Sequence, residues 1–494
     1  MSAADTPPDV VVVGGGAAGC VVAARLAETA SRSVLLLEAG PDLRERVPDE
    51  LRDGWSLSRQ FDWGFESQPD ERGVVEGLRR VKLLGGSSWL TRFAVRGSPA
   101  DFDEWAALGN EGWGFDEVLP YFKRHESDAE FGDQPWHGDG GPIPVTRYPE
   151  LAPTEIVAAA RDALVAMGFP VVQDHNRPGA VGVGRMPMSS RDGVRVTTAD
   201  AYLPAGDTPP NLTIRPGTHV TEVTFDGTRA TGVRSLDGEA FEAGWVVLCG
   251  GTYGSPTILL RSGVGPADEL GSVGVPVRVD LGGVGAHLAD HPAVDVDPGY
   301  RGPDRTAPVL HMLATFHSSA AASDGPPDLM LWVADPSGEY AIDIVLLKPE
   351  ARGSVRLRSP DPADPPLIHL PAVREAADVE RLAEGYRRGW ELAGRPELRR
   401  LCAEAPAPEL RGADELRRWV RESAYSIPHA VGTCSMGPSP EEGAVVDPSS
   451  GSVHGTERLS VVDASIMPTA PSGFPHVVTI MIAERLSKKI AALL

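Results

Sequence analysis

The stretch that decides the fold is "DVVVVGGGAAG", residues 9 to 19, close to the start of the chain. Its run of four valines is β-branched and apolar, which is typical of a buried strand. Gly14, Gly16 and Gly19 follow in the spacing GxGxxG. The next segment, "AAGCVVAARLAETA", predicts a helix, and "SVLLLEAG" after it predicts a second buried strand.

This order of strand, glycine-rich turn, helix and strand is the one that a dinucleotide requires. The first glycine permits a tight turn, the second lets a pyrophosphate approach the backbone, and the third lets the helix pack closely on the strand. Ala17 and Ala18 open the helix, whose first amides point toward a phosphate. Glu38 ends the second strand beside Ala39, about 20 residues after the motif, where a carboxylate accepts hydrogen bonds from ribose hydroxyls. The sequence therefore predicts a dinucleotide site, and the motif alone leaves FAD and NAD both open.

The composition is that of a folded protein with an acidic surface. The chain has 494 residues, of which 41% are hydrophobic. Such a length corresponds to about three domains, or to fewer if one α/β core takes up most of it. The formal net charge is -23, from 69 acidic and 46 basic side chains. This charge repels phosphate backbones, so nucleic acid is not expected as a partner.

The cysteines and the apolar runs predict neither a metal site nor a membrane span. Cys20, Cys249, Cys402 and Cys434 lack CxxC or Cys/His metal spacing, so no zinc site and no disulfide framework are expected. The first residues lead directly into a strand without the basic and apolar regions of a signal peptide. No apolar run approaches the ~20 residues of a membrane span. A cytoplasmic location is the simplest expectation.

The number of dinucleotide motifs bears on the choice of cofactor. A flavoprotein reduced by NAD(P)H usually carries a second strand, GxGxxG turn and helix. The nearest candidates here are "GGVGAHLAD" at 282–290, which lacks the third glycine, and "WVVLCGGTYGS" at 245–255, whose glycines have the wrong spacing. The sequence therefore predicts one bound dinucleotide that carries its own redox ring.

Two further segments resemble a known family. "KLLGGSS" at 82–88 and "GTYGSPTILLRSGVG" at 251–265 are similar to the two signatures of the glucose-methanol-choline oxidoreductases, FAD enzymes that oxidise alcohols. The resemblance extends to "DFDEWAALGNEGWGFDEVLPYFKRHE" at 101–126, "HGDGGPIPV" at 137–145 and "LSVVDASIMPT" at 459–469. It therefore covers nearly the whole chain.

The resemblance implies an α/β fold with two domains. One is a Rossmann-like FAD-binding domain of the p-hydroxybenzoate hydroxylase type, expected at residues 1–150, 205–290 and 440–494. The other is an α+β substrate domain, expected at residues 151–204 and 291–439. Alternating strand-like runs between residues 321 and 359, separated by Gly, Pro and Asp, independently predict an antiparallel sheet there.

The resemblance also implies further contacts with FAD. The loop of Gly85, Gly86, Ser87 and Ser88 is expected to present amides to phosphates, although taken alone it is equally a simple turn. Thr91 stands where the family normally has Asn or His, and no His or Cys lies between residues 85 and 97, so non-covalent FAD is expected. The remaining predicted contacts are Val220, Asp463, Ala464 and Val477.

The last predicted helix has an expected role at the flavin. If it begins near Val477, its N-terminal dipole can stabilise negative charge on the reduced ring. The same amphipathic helix, "VVTIMIAERLSKKIAALL", also closes the core.

Two histidines match the catalytic positions of the family. His429, in "YSIPHAVGTCSMG", is expected to be the principal base, and His476, in "PSGFPHVVTIMIAERL", its hydrogen-bonding partner. Neutral imidazole can take a hydroxyl proton, and the two residues can exchange or share that role. A histidine beside a proline is, by itself, more often a packed side chain than a catalyst. His287, His291 and His454 are expected to be structural.

The substrate side is predicted in less detail. Phe93, Trp332 and Tyr425 are expected to line the pocket, where aromatic rings favour a flat substrate. The expected substrate is a small-molecule alcohol, with a primary alcohol favoured. The expected electron acceptor is O2 or a quinone. The chain is most similar in appearance to bacterial aryl-alcohol and hydroxymethylfurfural-type oxidases. An FAD-containing lyase without net redox change and a non-catalytic flavoprotein are the alternatives.

Overall fold

The computed structural model describes residues 6–52, 59–300, 311–334, 341–371, 373–402 and 412–494. The helices are α1 Ala17–Ala27, α2 Asp49–Arg52, α3 Pro99–Ala107, α4 Phe115–His125, α5 Glu155–Ala166, α6 Thr198–Tyr202, α7 Gly251–Arg261, α8 Ala267–Ser272, α9 Ala376–Ala393, α10 Pro396–Arg399, α11 Ala413–Ser423 and α12 Pro475–Leu493. The strands are β1 Val10–Val13, β2 Val34–Leu37, β3 Phe65–Glu66, β4 Gly77–Leu78, β5 Glu126–Asp128, β6 Ile143–Val145, β7 Gly182–Arg185, β8 Ser190–Arg191, β9 Val194–Arg195, β10 Leu212–Arg215, β11 Val220–Asp226, β12 Arg229–Ser235, β13 Ala240–Glu242, β14 Trp245–Leu248, β15 Val264–Gly265, β16 Val279–Asp280, β17 Ala289–Val296, β18 Met312–Phe316, β19 Leu329–Ala334, β20 Ala341–Leu346, β21 Ser354–Arg356, β22 Leu367–His369, β23 Tyr425–Val431 and β24 Leu459–Val461.

A parallel sheet forms the dinucleotide-binding half, with strand order β10-β2-β1-β14-β24. All four valines of β1 are buried: helix α1 packs on β1 and β2, helix α12 packs on α1, and the antiparallel sheet β11-β12-β13 packs against β14. Strands buried on both faces are uniformly apolar, which explains the valine run. The carboxyl ends of β1, β2, β14 and β24 meet at one edge, where open α/β sheets bind their ligands.

An antiparallel sheet forms the other half, with strand order β23-β17-β20-β19-β18-β7. Its side chains alternate between two clusters. Residues such as Leu331 and Ile344 face helices α5 and α9, whereas Leu313, Met330 and Val345 face a smaller cluster beside the cavity described below. Period-2 alternation of this kind is what two covered faces require.

The two sheets draw on different parts of the chain. Strands of the parallel sheet come from residues 10–37, 212–248 and 459–461, and those of the antiparallel sheet from 182–185 and 289–431. The predicted combination of a parallel sheet and an antiparallel sheet is confirmed. Strand β17, Ala289–Val296, crosses the predicted boundary at residue 290. The detailed division into domains stays a prediction.

The described helices include none that is long and apolar enough to cross a membrane.

Candidate active site

A cavity of about 650 Å³ lies between the two sheets, at the carboxyl ends of the parallel strands. The glycine-rich loop and Glu38 line one part of it, and His429, His476 and Trp332 line another. The cavity therefore connects the predicted nucleotide site with the predicted catalytic residues.

The glycine-rich loop is built by close backbone approach. Gly14 has φ +94°, and a Cβ there would lie 2.6 Å from the Cys249 carbonyl oxygen. A Cβ on Gly19 would lie 1.7 Å from the Gly14 oxygen, so the helix can approach the strand only with glycine at this position. Gly14, Gly16, Ala17 and Ala18 line the cavity, whereas Gly19 supports the loop from behind.

Glu38 has a second role that the sequence did not reveal. Its carboxylate accepts hydrogen bonds from the Gly15 amide and the Gly40 amide, each at 2.7 Å. Burial raises the pKa of Glu38 despite these donors. A carboxylate can accept about four hydrogen bonds, so this one fixes the loop and retains lone pairs toward the cavity, which Glu38 and Ala39 both line.

The second small-residue loop packs directly on the first. The Gly85 amide donates to the Gly15 oxygen at 2.7 Å, and Gly86, with φ +52°, lies so close that its Cβ would be 2.6 Å from the Gly16 Cα. Gly86 and Ser87 line the cavity. Gly85 and Ser88 do not, and the Ser88 hydroxyl instead donates to the Gly85 oxygen at 2.6 Å. The loop is thus a support for the dinucleotide turn as well as part of the cavity wall.

Of the remaining predicted cofactor residues, four line the cavity and one does not. Thr91, Val220, Asp463 and Ala464 line the cavity. The buried Asp463 carboxylate accepts from the Gly251 amide at 2.8 Å and from the Ser255 hydroxyl at 2.6 Å, which ties β24 to helix α7.

Val477 is buried and is not among the lining residues. Helix α12 begins at Pro475, two residues before the predicted start, because proline is favoured at the first helical position.

His429 and His476 both line the cavity. His429 belongs to β23, is partly exposed toward the cavity, and packs its ring 4.7 Å from that of Phe474. His476 lies in the first turn of α12. Burial, followed by the nearby His291 and Arg80, holds the pKa of His429 well below its usual range. Burial also lowers the pKa of His476 to about 4. Both imidazoles are therefore neutral at neutral pH.

His291 belongs to the same cluster, although the sequence predicted a structural residue. Its Nδ1 lies 3.1 Å from the His429 Nδ1, and the two rings are perpendicular. The preceding residue, Asp290, is buried and accepts from the His429 amide at 2.9 Å. The pairing of β17 with β23 brings these residues together across 138 positions of sequence, and no local pattern signals it.

Two of the three predicted substrate residues line the cavity. Phe93 and Trp332 do so, with ring centroids 5.1 Å apart, and Phe474 completes the aromatic wall. Tyr425 packs against the same cluster but is not a lining residue, and its hydroxyl donates to the Asp343 carboxylate at 2.8 Å.

Residues at the β3-β4 hairpin, which the sequence did not single out, form another part of the cavity wall together with Tyr253 of α7. Trp63 and Phe65 stack with centroids 5.6 Å apart, and the Arg80 guanidinium lies 4.8 Å above the Tyr253 ring. Lys82 lies 4.8 Å above the Trp63 ring. These residues give the cavity a basic and aromatic wall in an acidic protein.

A buried charged cluster lies outside the cavity. Ligand atoms of Glu126, Asp128 and His137 lie within 4.8 Å of one another, as a metal site would require. However, Arg96 forms an ion pair with Glu126, and Arg147 forms one with Asp128 at 2.9 Å. The carboxylates are therefore neutralised by guanidinium groups, and we interpret the cluster as an ion-pair network.

The cavity has the features of a site for a redox dinucleotide. Among the described residues, a Cβ built on Gly16 meets only the Gly86 Cα, at 3.9 Å, so the loop leaves open space where a pyrophosphate is expected. The nucleotide part opens onto neutral histidines and aromatic rings. This arrangement is that of a dinucleotide-dependent oxidoreductase.

The comparisons with known proteins specify the family. Two GMC oxidoreductase family models match, over residues 8–293 and 349–483. The chain is 37% identical to an uncharacterised GMC-type oxidoreductase of Rhodococcus erythropolis, over 95% of both chains. It is 34% identical to 5-(hydroxymethyl)furfural oxidase of Methylovorus sp., over 98% of this chain and 99% of the relative. The crystal structure of pyridoxine 4-oxidase from Mesorbium loti superposes with a TM-score of 0.90, at 30% identity, over 98% and 99% of the two chains.

The chain belongs to the GMC oxidoreductase family. It is an FAD-dependent oxidoreductase, and the FAD cofactor and alcohol-oxidising activity expected from the sequence are confirmed at the level of the family.

Proposed function

We propose that this protein oxidises the primary alcohol of a flat, aromatic substrate to an aldehyde, with His429 as the base. FAD, when bound, supplies the hydride acceptor. The observation that carries the proposal is that two neutral histidines, His429 and His476, line the same cavity as the dinucleotide loop.

The chemistry follows from the protonation states. Alcohol oxidation needs a base for the hydroxyl proton, and a neutral imidazole has a lone pair for it. We assign this step to His429 and a hydrogen bond to the alcohol oxygen to His476. A hydrogen bond to oxygen stabilises the charge that develops as the proton leaves. Both imidazoles stay neutral because burial disfavours their charged forms.

The substrate class follows from the walls of the cavity. Phe93, Trp332 and Phe474 form a cluster of rings beside His429. Aromatic walls favour a planar ring by stacking and by burial of apolar area. Two similar proteins are oxidases of 5-(hydroxymethyl)furfural and of pyridoxine, which carry hydroxymethyl groups on flat rings, and this supports the choice.

We further propose that FAD is held without a covalent bond and that O2 or a quinone reoxidises it. The segment from 85 to 97 has no histidine or cysteine to attach a flavin, and Thr91 lines the cavity instead. Release of the flavin on acid precipitation of the protein tests the first proposal. Reoxidation of the reduced enzyme by air and, separately, by a quinone tests the second.

The test of the function is anaerobic bleaching of the flavin. Purified holoenzyme is mixed with 5-(hydroxymethyl)furfural, pyridoxine or benzyl alcohol, and the flavin absorbance is followed. We expect bleaching by at least one of them, with formation of the aldehyde. If none bleaches the flavin, although FAD is bound, the proposal is wrong, and cyanohydrin cleavage without bleaching would favour a lyase.

A further inference from the structure

The cluster behind His429 contains a residue that the proposed reaction has not yet used. His291 is fully buried in β17, and its Nδ1 lies 3.1 Å from the Nδ1 of His429. At this distance the two nitrogens share one hydrogen bond, which requires one donor and one acceptor. The contact therefore couples the two tautomers: one ring carries its proton on Nδ1 and the other does not.

The backbone holds the two rings in this relation. The Asp290 Oδ1 accepts from the His291 amide at 2.8 Å and from the His429 amide at 2.9 Å. The Ser426 hydroxyl donates to the other oxygen at 2.6 Å. One carboxylate thus joins the strand that carries His291 to the strand that carries His429.

A bulge in β23 makes this geometry possible. Ala289 pairs with Val431 and His291 pairs with Ile427, so two steps along β17 correspond to four along β23. The extra residues, Pro428 and His429 among them, leave the regular ladder, and the His429 amide bonds to the Asp290 side chain instead. Bulges beside active sites commonly re-aim a side chain in this way.

The far side of the His291 ring decides which nitrogen carries the proton. Its Nε2 is buried and has no hydrogen-bond partner of good geometry among the described residues. Backbone groups of Pro471 and Leu347 interact with the ring and favour its protonated form, as hydrogen-bond acceptors do. Proline has no N–H, and the Leu347 N–H already donates to the Asp328 oxygen, so both groups can only accept. Because the His291 Nδ1 faces His429, we assign these acceptors to the Nε2 side of the ring, where they favour a proton. Burial and the charge of Lys348 lower the pKa of His291 to about 4, so the ring carries one proton, not two.

We propose that His291 is a positioning residue: its unprotonated Nδ1 accepts the proton of the His429 Nδ1 and so leaves the His429 Nε2 lone pair free for the substrate hydroxyl. With the opposite tautomer, His429 would present an N–H to the alcohol and could not act as a base. The inference rests on the proposed function, because it assigns the state of the base in that reaction.

Three variants separate this role from a structural one. His291→Asn places a carbonyl oxygen where Nδ1 stands and keeps an acceptor, whereas His291→Leu removes it. His175→Leu is the matched control, since His175 is also buried with an unpartnered Nε2 but is not a lining residue of the cavity. Each variant is first checked for FAD content and for thermal unfolding.

The readout is the rate of anaerobic flavin reduction by 5-(hydroxymethyl)furfural, with the substrate Kd taken from its saturation. For His291→Leu we expect a rate about 10- to 100-fold lower, at a Kd changed less than about 3-fold. This is a smaller loss than the ~10²- to 10⁴-fold for removal of the general base itself, because His429 is still present. His291→Asn is expected to regain most of the rate. Equal rates in His291→Leu and His175→Leu, or a His291→Asn as slow as His291→Leu, would overturn the inference. A wild-type flavin that the whole alcohol panel fails to reduce overturns the proposed function itself.

A second measurement does not depend on activity or on the folding of any His291 variant. The wild-type holoenzyme is labelled with 15N-histidine, and the His429 ring signals are identified by their loss in His429→Gln. We expect Nδ1 to be protonated and Nε2 to be unprotonated. The reverse pattern would overturn the assignment of the tautomer.

Discussion

The contact between the two glycine loops provides a direct test of how the cofactor cavity is built. In Gly86→Ala, the new Cβ would lie 2.6 Å from the Gly16 Cα, whereas ordinary contact begins at 3.4 Å, so the loops must separate by about 0.8 Å. The backbone at Gly86, with φ +52°, adds a left-handed strain of about 1–2 kcal/mol for alanine. We expect lower stability and, because the phosphate-binding turn itself moves, weaker FAD binding.

The control separates these two effects. Gly227 has φ +60° and nothing within 4 Å of its would-be Cβ, so Gly227→Ala carries the same backbone strain without the clash. FAD Kd is measured by titrating apoprotein and following flavin fluorescence. We expect a Kd at least about tenfold higher in Gly86→Ala, equivalent to about 1.4 kcal/mol, and an unchanged Kd in Gly227→Ala. Equal FAD affinities in the two variants would refute the reasoning.

Three further predictions concern the walls and the core. Tyr425→Phe should lower the free energy of unfolding by about 1–3 kcal/mol, because Asp343 loses its hydrogen-bond donor, and should leave the Kd of 5-(hydroxymethyl)furfural unchanged. Trp332→Ala should raise that Kd, because Trp332 lines the cavity. The reverse pattern would show that Tyr425, and not Trp332, contacts the substrate. Glu484→Gln should lower the free energy of unfolding by about 3 kcal/mol in denaturant titrations. The fully buried carboxylate pairs with Arg25 at 2.7 Å and accepts from the Tyr202 hydroxyl at 2.7 Å, and the substitution removes its charge. A decrease in unfolding free energy of less than about 0.5 kcal/mol would contradict this. The rate of flavin reduction should stay constant as pH falls from 8 to 6.5, since lowered pKa values keep His429 and His476 neutral. Burial raises the pKa of the neighbouring Asp290 to about 7, so Asp290→Asn is measured beside the wild type; a decline centred near pH 6.5 that persists in this variant would contradict the prediction.

The dinucleotide half could be predicted from sequence because its signals are local. The valine run, the GxGxxG turn and Glu38 lie within 30 residues, and each has one physical reason for its place. The sequence analysis considers a start of α12 near Val477, whereas the helix begins at Pro475, because the proline in "FPHVV" marks the first helical position two residues earlier. The proline that marks the start of α12 is therefore visible in the sequence, and the expected start at Val477 is wrong by two residues.

The neighbour of His429 could not be predicted in this way. His291 reaches it only through the pairing of β17 with β23 and the bulge at Pro428, and neither register nor bulge is visible in one sequence. The same limit applies to Tyr425, whose aromatic ring fits the cavity wall but whose hydroxyl finds Asp343 on β20, a strand 82 residues away. Contacts between distant strands depend on the tertiary fold and leave no periodic trace.

The roles of the individual site residues remain predictions, and His429 is the one on which the account depends. Its replacement by alanine removes the proposed base, while the glycine loops and Glu38 that hold FAD are left intact. His454→Ala is a suitable control, because the His454 Nε2 bonds to the Gly437 oxygen at 3.0 Å and His454 is not a lining residue of the cavity.

The most direct measurement is therefore anaerobic stopped-flow reduction of the flavin by 5-(hydroxymethyl)furfural, with and without deuterium on the carbinol carbon. We expect the deuterated alcohol to reduce the wild-type flavin more slowly, because hydride leaves that carbon. In His429→Ala with full FAD content we expect the rate to fall at least about 100-fold, as for loss of a general base, and in His454→Ala to stay within about twofold of wild type. A His429→Ala enzyme that is reduced as fast as wild type would contradict the account.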